Sequence, residues 1–573
     1  MLMASSWERM ADSRLGGLAR AWARRSRALA VLLGTFGYAA SLSPSLIPRS
    51  PVMQGVVSGV SLAAWYAVGV LLGRAWRRFR RWSGLVVELR SAGPRRMLAG
   101  AWAGGVAATL IGAPLLFLDD HRALARDMGM PEPGVVDVLV VLVMAAGVFA
   151  ALVLLWHGVR RPFLVLLARL NRLPSALAAP LASVLVLVLV AGLIQYVIVG
   201  GLLRVVGDRS AQANLTSPPG TSPPVSSLLS GGPGSTQSWA DLGYEGRAFV
   251  SGATTATDIA RVTGQPSKEP IRAYAGRVDG RSIEATVVAA MAELDRTGAW
   301  QRSTLLLFTT TGQGWVNNWS ASAVEYLTGG DCALVAVQHS VLPSPLALID
   351  APNRPREAGR ALTSAVLDHL ETLPADARPK VYVAGESLGA YGGNAAFTSL
   401  DDMLDRIDGA VWTGTPSFTE LHRSITARRV VGSTQMNPIV DNGRHVRFAS
   451  RPAELAADQF GRELGPWDFP RVVYLQHPSD PVVWWEPSLL LSTPDWLRET
   501  RVASPAAAMS WLPVVTFWQV TADMPGSTEV PSGKGHNYHA EVVPTWAAVL
   551  DRGTPAAVAE VTTAIERRAQ SWE

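Results

Sequence analysis

Cysteine and lysine are the residues that this sequence most clearly lacks. Its 573 residues include one cysteine, Cys332, and lysines only at positions 268, 380 and 534. A single cysteine excludes an internal disulfide, and its place in an apolar run indicates a buried core residue. The net charge of +5 therefore comes almost entirely from arginine. No stripe of arginines alternates with aromatic residues on a soluble segment, so nucleic-acid binding is not expected.

Charge of either sign is also scarce, at 17% of residues against 48% hydrophobic. Nearly all the long uncharged runs lie before residue 206. Five of them lack Asp, Glu, Lys and Arg and are long enough to cross a hydrocarbon core of about 30 Å; they cover residues 28–47, 52–73, 97–118, 138–159 and 173–203. We therefore predict an all-α transmembrane bundle of about five helices over residues 1–206. Spans without charge disfavour a pump, channel or transporter.

The arginines that flank these runs predict an orientation. They are concentrated in the N-terminal tail and in the loops 74–96 and 160–172. The loops between these have few arginines, or have arginines whose charge is offset by acidic residues. Basic loops stay in the cytoplasm, so the N-terminus is predicted inside and the chain after the fifth span outside. Two alternatives bear on this count. The first run could be a cleaved signal peptide, or Pro44 and Pro48 could make it re-entrant.

Residues 207–240 are rich in Pro, Gly and Ser, which predicts a loose linker. From 241 to 573 short aliphatic runs alternate with amphipathic helices. Strands are expected at 303–308, 333–338, 380–384, 410–413 and 472–475, with helices near 320–327, 357–373 and 540–550. Strands alternating with helices predict a doubly wound, mostly parallel sheet.

At the third predicted strand, the run Gly385-Glu386-Ser387-Leu388-Gly389 matches G-x-S-x-G. This pattern places a serine on a tight strand-to-helix turn, where glycines on both sides avoid steric collisions. A chance match is common in a glycine-rich chain, but a strand before it and a small-residue helix after it favour a nucleophile.

The same fold requires an acid and then a histidine downstream of the serine. Asp480 follows a predicted strand directly, with Asp441 and Asp495 as less favoured acids. His536 lies in a glycine-rich loop before a predicted helix and is preferred to His539. Ser387, His536 and Asp480 would then act as nucleophile, base and orienting acid.

The oxyanion that forms during such a reaction needs backbone N–H donors. One is expected from Leu388, the residue after the nucleophile. The other is expected from Thr311 or Gly312 in the turn after the first predicted strand. A metal site is an alternative for these residues, at His536 and His539 with Glu541 or at His477 with Asp480. Because there is no H-E-x-x-H pattern, neither a metal nor another cofactor is expected.

Residues 484–518, between the acid and the base, hold five tryptophans and several leucines. Such an apolar insertion beside a catalytic acid could form a lid or an acyl site, and it could equally be ordinary core.

Several motifs together resemble one known family: SLSPSLIPR, GGPGS, TTTGQGWVN, GESLGAYGG, HPSDPVVWW and GKGHNYH. The chain resembles the actinobacterial family of membrane-anchored α/β hydrolases, which joins an N-terminal multi-span domain to a C-terminal catalytic domain. The resemblance covers most of the chain and implies Ser387, Asp480 and His536 as the catalytic triad. It implies no particular substrate.

These observations lead to three hypotheses. The first is a membrane-anchored serine esterase or lipase that cleaves a hydrophobic or lipid-like ester outside the cytoplasm, with membrane lipids as its surroundings. A cell-envelope acyltransferase would use the same triad but pass the acyl group to another alcohol. The third is a non-catalytic membrane scaffold with a hydrolase-like domain.

Overall fold

The structure, a computed structural model, describes residues 14–83, 93–169, 175–278, 281–499 and 509–569. The chain divides into two compact units. The first, here the helical unit, comprises Met1–Val190, Pro487–Leu497 and Pro505–Gly526. The second, here the sheet unit, comprises Ala191–Glu486, Arg498–Ser504 and Ser527–Glu573. Parts of the segment between Asp480 and His536 thus group with the N-terminal helices.

The N-terminal part of the chain is mostly helical within its described residues. Its helices are Arg14–Ser41, Pro51–Ser83, Gly93–Leu116, Leu118–Met128, Val135–Arg169 and Ser175–Leu193, the last continuing as a π-helix over Ile194–Val199. Within the described ranges, three helical stretches are long and apolar enough to cross a membrane: Pro51–Ser83, Ala101–Met128 and Val135–Phe163. They match the second, third and fourth predicted spans.

The first and fifth predicted spans differ from the prediction. The first helix ends at Ser41, because the chain soon reaches Pro44 and Pro48, which cannot continue it. Its apolar part, Ala28–Ser41, is shorter than the other three. The fifth predicted span, 173–203, begins with residues 173 and 174, which lie outside the described residues, and its described apolar part is Val184–Leu193. The structure therefore supports three spanning helices rather than a clear five.

The first two helices form a tight hairpin around the loop 42–50. A side chain at Gly69 would come within 2.4 Å of the Ala30 Cα atom, so glycine permits close approach of the two backbones. The helix Leu118–Met128 lies at the same end of the hairpin, because His121 Nε2 donates a hydrogen bond to the Leu42 carbonyl at 2.8 Å. The loop 42–50 and the helix Leu118–Met128 therefore lie at the same end of the helical unit.

The same loop receives a helix from far along the chain, Val515–Asp523. The Asp523 carboxylate accepts hydrogen bonds from Ser45 Oγ at 2.5 Å and from the Leu46 N–H at 3.2 Å. It also pairs with Arg49 Nε at 2.9 Å. The end of the tryptophan-rich insertion is thus packed into the helical unit, with a buried ion pair at the contact.

The sheet unit contains seven parallel strands: β1 Ile271–Ala275, β2 Thr304–Thr309, β3 Cys332–Val337, β4 Lys380–Glu386, β5 Gly409–Thr413, β6 Val446–Ala449 and β7 Arg471–Leu475. Their order is β1-β3-β2-β4-β5-β7-β6. The strands are almost completely buried, as in parallel sheets covered on both faces. The predicted parallel α/β sheet is confirmed, although β1 and β6 were not predicted. Cys332 is the buried first residue of β3, as expected.

Helices cover both faces of this sheet. They are Gly200–Leu215, Gly243–Ser251, Ala256–Thr263, Ile283–Thr297, Asn318–Leu327, Ser344–Asp350, Arg354–Glu371, Leu388–Asn394, Leu400–Arg406, Glu420–Ala427, Pro481–Trp484, Val542–Leu550 and Pro555–Ala569. The short helix Asp495–Arg498 belongs to the insertion. Two apolar cores, one on each face, hold β4 at the centre of the sheet.

The interval predicted as a loose linker, 207–240, is ordered against the sheet unit. The helix Gly200–Leu215 extends into it, and Leu229 forms a parallel bridge with Arg272 of β1. Ser230 Oγ donates to the Glu293 carboxylate at 2.8 Å, and Thr236 donates to it from both N–H and Oγ. Burial raises the pKa of Glu293, but hydrogen bonds from Arg296, Ser230 and Thr236 outweigh it and lower the pKa to about 2. Composition alone did not reveal these acceptors.

Candidate active site

Ser387 lies on the turn between β4 and the helix Leu388–Asn394. Its backbone has φ 55° and ψ −120°, a conformation that non-glycine residues rarely adopt and that costs free energy. A side chain at Gly389 would lie 2.2 Å from the Thr309 carbonyl oxygen. One at Gly385 would lie 2.7 Å from the Gly389 backbone. Both glycines of the motif are therefore required by packing, as expected for a nucleophile turn.

Asp480 and His536 form the second part of the site. Asp480 comes shortly after β7 and caps the helix Pro481–Trp484, since its Oδ1 accepts the Val482 N–H at 2.8 Å. Its Oδ2 accepts a hydrogen bond from His536 Nδ1 at 2.6 Å. Asp480 is 0% exposed and His536 is 6% exposed. The bond fixes the proton on Nδ1 and leaves Nε2 as the basic nitrogen.

The electrostatics of this pair favour a protonatable histidine. Burial by itself lowers the pKa of His536, but the charge and hydrogen bond of Asp480 outweigh that effect. The nearby charge of Glu386 acts in the same direction as Asp480. The net result is a pKa for His536 above its ordinary value. The imidazolium that forms when His536 takes a proton is thus stabilised in place.

Ser387 and His536 both lie against the end of β5. The Ser387 N–H donates to the Thr413 carbonyl at 3.0 Å. The next residue, Gly414, has φ +57°, and a side chain there would lie 2.3 Å from His536 Cε1. His536 Nε2 is buried and has no hydrogen-bond partner among the described residues. A histidine nitrogen without a hydrogen-bond partner is free to accept a proton.

The oxyanion donors agree only partly with the prediction. Leu388 is the first residue of its helix, where backbone N–H groups have no acceptor within the helix. Thr311 and Gly312 do not offer free donors in this structure. The Thr311 N–H donates to the Trp315 carbonyl at 3.1 Å, and the Gly312 N–H donates to Ser344 Oγ at 3.1 Å. The Thr311 N–H is thus used within the turn after β2, and the Gly312 N–H is used by the start of the helix Ser344–Asp350.

The alternative residues lie in other surroundings. The His539 ring stacks on Trp319 with centroids 5.7 Å apart, whereas His536 bonds Asp480. Asp441 lies in the short turn Asp441–Gly443, and Asp495 in the helix Asp495–Arg498. Within the described ranges, no group of three or more His, Cys, Asp and Glu could hold a metal ion.

Two polar groups at the site were not predicted. Tyr538 donates from its hydroxyl to Asp480 Oδ2 at 2.6 Å, the oxygen that also binds His536. Glu386 accepts hydrogen bonds from Asn317 Nδ2 at 2.8 Å and from Thr413 Oγ1 at 3.1 Å, and it lines a cavity of about 10 Å³ beneath the turn. Tyr538 lies two residues after His536, and that proximity was the only signal in the sequence.

Comparison with known families agrees with this fold. A family model described as the alpha/beta-hydrolase family matches residues 271–562, more than half of the chain. A second, described as the alpha/beta-hydrolase family N-terminus, matches residues 42–254. Searches of curated proteins and of solved structures gave no match. The two family matches together span both the helical and the sheet unit, and the chain belongs to the alpha/beta-hydrolase family.

Proposed function

We propose that this protein is a membrane-bound serine hydrolase of the esterase or lipase type, which cleaves a hydrophobic ester through an acyl-enzyme on Ser387. The observation that carries the proposal is the buried His536–Asp480 pair, whose free Nε2 lies at the same strand end as the strained Ser387 turn. Family membership supports hydrolysis as the reaction class.

In the first half of the reaction, Ser387 Oγ attacks the ester carbonyl carbon while His536 Nε2 takes the hydroxyl proton. The resulting oxyanion accepts a hydrogen bond from the Leu388 N–H. When the C–O bond to the alcohol breaks, the imidazolium returns its proton to the leaving oxygen. Asp480 keeps the imidazole in the required tautomer and stabilises its cation throughout.

In the second half, water attacks the acyl-enzyme carbonyl and gives its proton to His536 Nε2. The acyl–Ser387 bond then breaks, the carboxylic acid leaves, and Ser387 Oγ recovers the proton. An alcohol in place of water would make the same chemistry an acyl transfer. The residues of the site act identically in both cases, so the acceptor distinguishes the two reactions.

We further propose that the catalytic site lies outside the cytoplasm. Within the helical unit, the loop 42–50, the helix Leu118–Met128 and the insertion helix Val515–Asp523 all meet at one end of the first hairpin. The arginine-rich stretches that begin at Arg74 and Arg160 lie in the C-terminal parts of the helices Pro51–Ser83 and Val135–Arg169. Basic ends stay in the cytoplasm, which supports an external position for the insertion. A C-terminal alkaline phosphatase fusion tests this: an active fusion is expected, and an inactive one contradicts it.

Chromogenic esters of increasing acyl length test the activity. Purified protein in lipid nanodiscs should release alcohol from them, with Ser387→Ala as the matched control. Adding a primary alcohol and identifying the acyl product then distinguishes hydrolysis from transfer. Equal turnover by wild type and Ser387→Ala would contradict the proposal.

A further inference from the structure

Three half-buried aromatic side chains form a row beside the proposed nucleophile, and they are called the aromatic row below. The Tyr391 and Phe418 rings have centroids 5.7 Å apart, and the Phe418 and Trp485 rings have centroids 6.2 Å apart. Each of the three side chains is only partly covered, and Ser387 is partly exposed as well. None of the three takes part in the proton transfers of the proposed reaction, so the row calls for another explanation.

The aromatic row follows the carboxyl ends of three neighbouring strands. β4, β5 and β7 lie side by side in the sheet, and Tyr391, Phe418 and Trp485 come after them in that order. Because the strands are parallel, their carboxyl ends meet at one edge of the sheet, which is where such sheets bind ligands. Ser387 follows β4 and Asp480 follows β7 at this same edge. The row therefore crosses the edge that holds the proposed triad.

Tyr391 is connected to the nucleophile turn itself. Its N–H donates to the Ser387 carbonyl at 3.0 Å, so it lies one helical turn after the serine. Side chains of a helix lean toward its N-terminal end, which places the Tyr391 ring on the Ser387 side of its own Cα atom. The ring also packs against the small apolar cluster that contains Leu388. A group bonded to Ser387 Oγ therefore has apolar surface beside it.

The loop that carries Phe418 contacts the proposed base. It begins at Gly414, where a side chain would lie 2.3 Å from His536 Cε1. Farther along the same loop, the Ser417 N–H donates to the Val483 carbonyl at 2.9 Å. This bond joins the loop to the short helix that follows β7, so the second and third rings of the row are carried by segments that are bonded to each other.

Two adjacent tryptophans at the end of that helix differ in burial. Trp484 is completely buried, and its Nε1 donates to the His477 carbonyl at 2.9 Å. Trp485 is only partly buried, and its ring lies against Phe418. The helix is capped by Asp480, the acid of the proposed triad. Trp484 is therefore a core residue, whereas Trp485 presents its ring at the edge that holds the triad.

We propose that the aromatic row is the acyl-binding surface of the proposed hydrolase, and that it selects esters with a medium or long aliphatic acyl chain. This inference rests on the proposed function, because the chain that it binds is the acyl group bonded to Ser387. The alcohol leaves once His536 has protonated it, whereas the acyl group stays on Ser387 until water attacks. The row begins one helical turn from that serine, so the retained group is the one that lies along it.

The chemistry of the row favours an aliphatic chain. Its three rings offer apolar surface, and each methylene that leaves water for such a surface raises affinity roughly four-fold. The polar atoms of the row are one hydroxyl, on Tyr391, and one indole N–H, on Trp485. A charged or strongly hydrated acyl group would lose its water there without gaining an opposite charge.

Chromogenic esters with acetyl, butyryl and octanoyl groups test the row in nanodiscs. Wild-type kcat/KM should rise with acyl length. Phe418→Ala removes the middle ring, so kcat/KM should fall about ten-fold more for the octanoyl ester than for the acetyl ester. Phe418→Leu keeps an apolar side chain and should recover most of the preference for octanoyl. Because long esters partition into the lipid, each variant is compared with wild type ester by ester.

Phe460→Ala is the matched control, since Phe460 is also exposed but lines a separate groove with Val430 and Val431. It should keep the wild-type dependence on acyl length. Thermal unfolding of each variant separates misfolding from lost binding.

Two results would overturn the acyl-binding role while the proposed function stands. One is a folded Phe418→Ala protein that turns over esters with the wild-type dependence on acyl length. The other is a Phe418→Ala protein whose dependence on the length of the alcohol changes instead. If wild type shows no Ser387-dependent turnover of the acetyl ester, the proposed function fails first and the acyl-binding role falls with it.

Discussion

Asp480 and Asp523 are both completely buried aspartates, one in each unit, and they do different things with the same carboxylate. Asp480 accepts hydrogen bonds from the His536 ring, from the Tyr538 hydroxyl and from a helix terminus. Asp523 accepts from Ser45 and Leu46 and pairs with Arg49. Each ties together segments that are distant in sequence, but only Asp480 has a partner whose unused nitrogen can act as a base.

The two aspartates differ in whether the unpaired nitrogen of their partner can act as a base. His536 Nε2 is a base that can accept a proton, so the unpaired nitrogen has a chemical use. Arg49 has Nη1 and Nη2 buried without a hydrogen-bond partner among the described residues, yet guanidinium cannot act as a base. Burial raises the pKa of Asp523 to about 6, and the charge of Arg49 lowers it only in part. We infer that Asp523 holds the insertion on the loop 42–50, whereas Asp480 prepares a reaction.

Asp480→Asn should have the largest effect. An amide at this position favours the wrong His536 tautomer, so kcat/KM should fall by about 10³ to 10⁴. Asp523→Asn is the corresponding change in the helical unit and should leave kcat/KM of the folded protein close to wild type. Ester hydrolysis rates, normalised to folded protein, measure both. Similar losses of kcat/KM in the two variants would contradict the assignment of a catalytic role to Asp480 and a structural role to Asp523.

Asp523→Leu tests the ion pair of the helical unit. It leaves the Arg49 cation buried without an opposite charge, which should cost about 3–5 kcal/mol of unfolding free energy. Adding Arg49→Met should restore most of that stability, because apolar side chains can replace a buried ion pair. Thermal unfolding in nanodiscs, together with protease protection of residues 509–526, measures the change. A double variant as unstable as the single one would contradict this account.

Gly414→Ala changes the position of His536 without changing its chemistry. The added Cβ would collide with the His536 ring, and a displacement of about 1 Å can cost about 100-fold in rate. The matched control is Gly264→Ala, where φ is also positive, at +68°, and no atom lies within 4 Å. Both variants should lose some stability, but only Gly414→Ala should lose activity. Equal activities would place His536 elsewhere in the working enzyme.

Glu386→Gln should have the smallest effect, on the pH profile. Because the pKa of His536 is raised, the acid limb of kcat/KM should lie above the ordinary histidine value of about 6.5. Removing the Glu386 charge makes the imidazolium less stable, so the acid limb should move to lower pH by a few tenths. A shift toward higher pH would show that Glu386 does not act on His536 through its charge.

The sequence predicted the sheet best where strands are uniformly apolar. The two strands that it missed, β1 and β6, each carry an arginine in the middle, Arg272 and Arg447. Both arginines are buried because their partners come from elsewhere in the chain. Arg272 binds Glu325, and Arg447 binds three carbonyl groups of neighbouring turns. Such pairing compensates the free-energy cost of burying an arginine, and it cannot be recognised from a short stretch of sequence.

The site was predictable to the extent that its chemistry follows chain order. Serine, acid and histidine come in the chain order expected for this fold, and a hydrogen bond joins Asp480 to His536 in the structure. The second oxyanion donor was not predictable, because a glycine-rich turn can use its own N–H groups, as Thr311 and Gly312 do. Packing of the insertion on the loop 42–50 also depends on long-range contacts that composition does not reveal.

Covalent labelling of Ser387 tests the central claim most directly. Wild-type protein in nanodiscs is treated with a fluorophosphonate probe at neutral pH, and the labelled peptide is identified by mass spectrometry. We predict a single labelled peptide that contains Ser387, with labelling abolished in Ser387→Ala and strongly reduced in Asp480→Asn. Labelling that is equal in wild type and Ser387→Ala, or absent from folded wild type, would contradict the assignment of this site as a serine hydrolase.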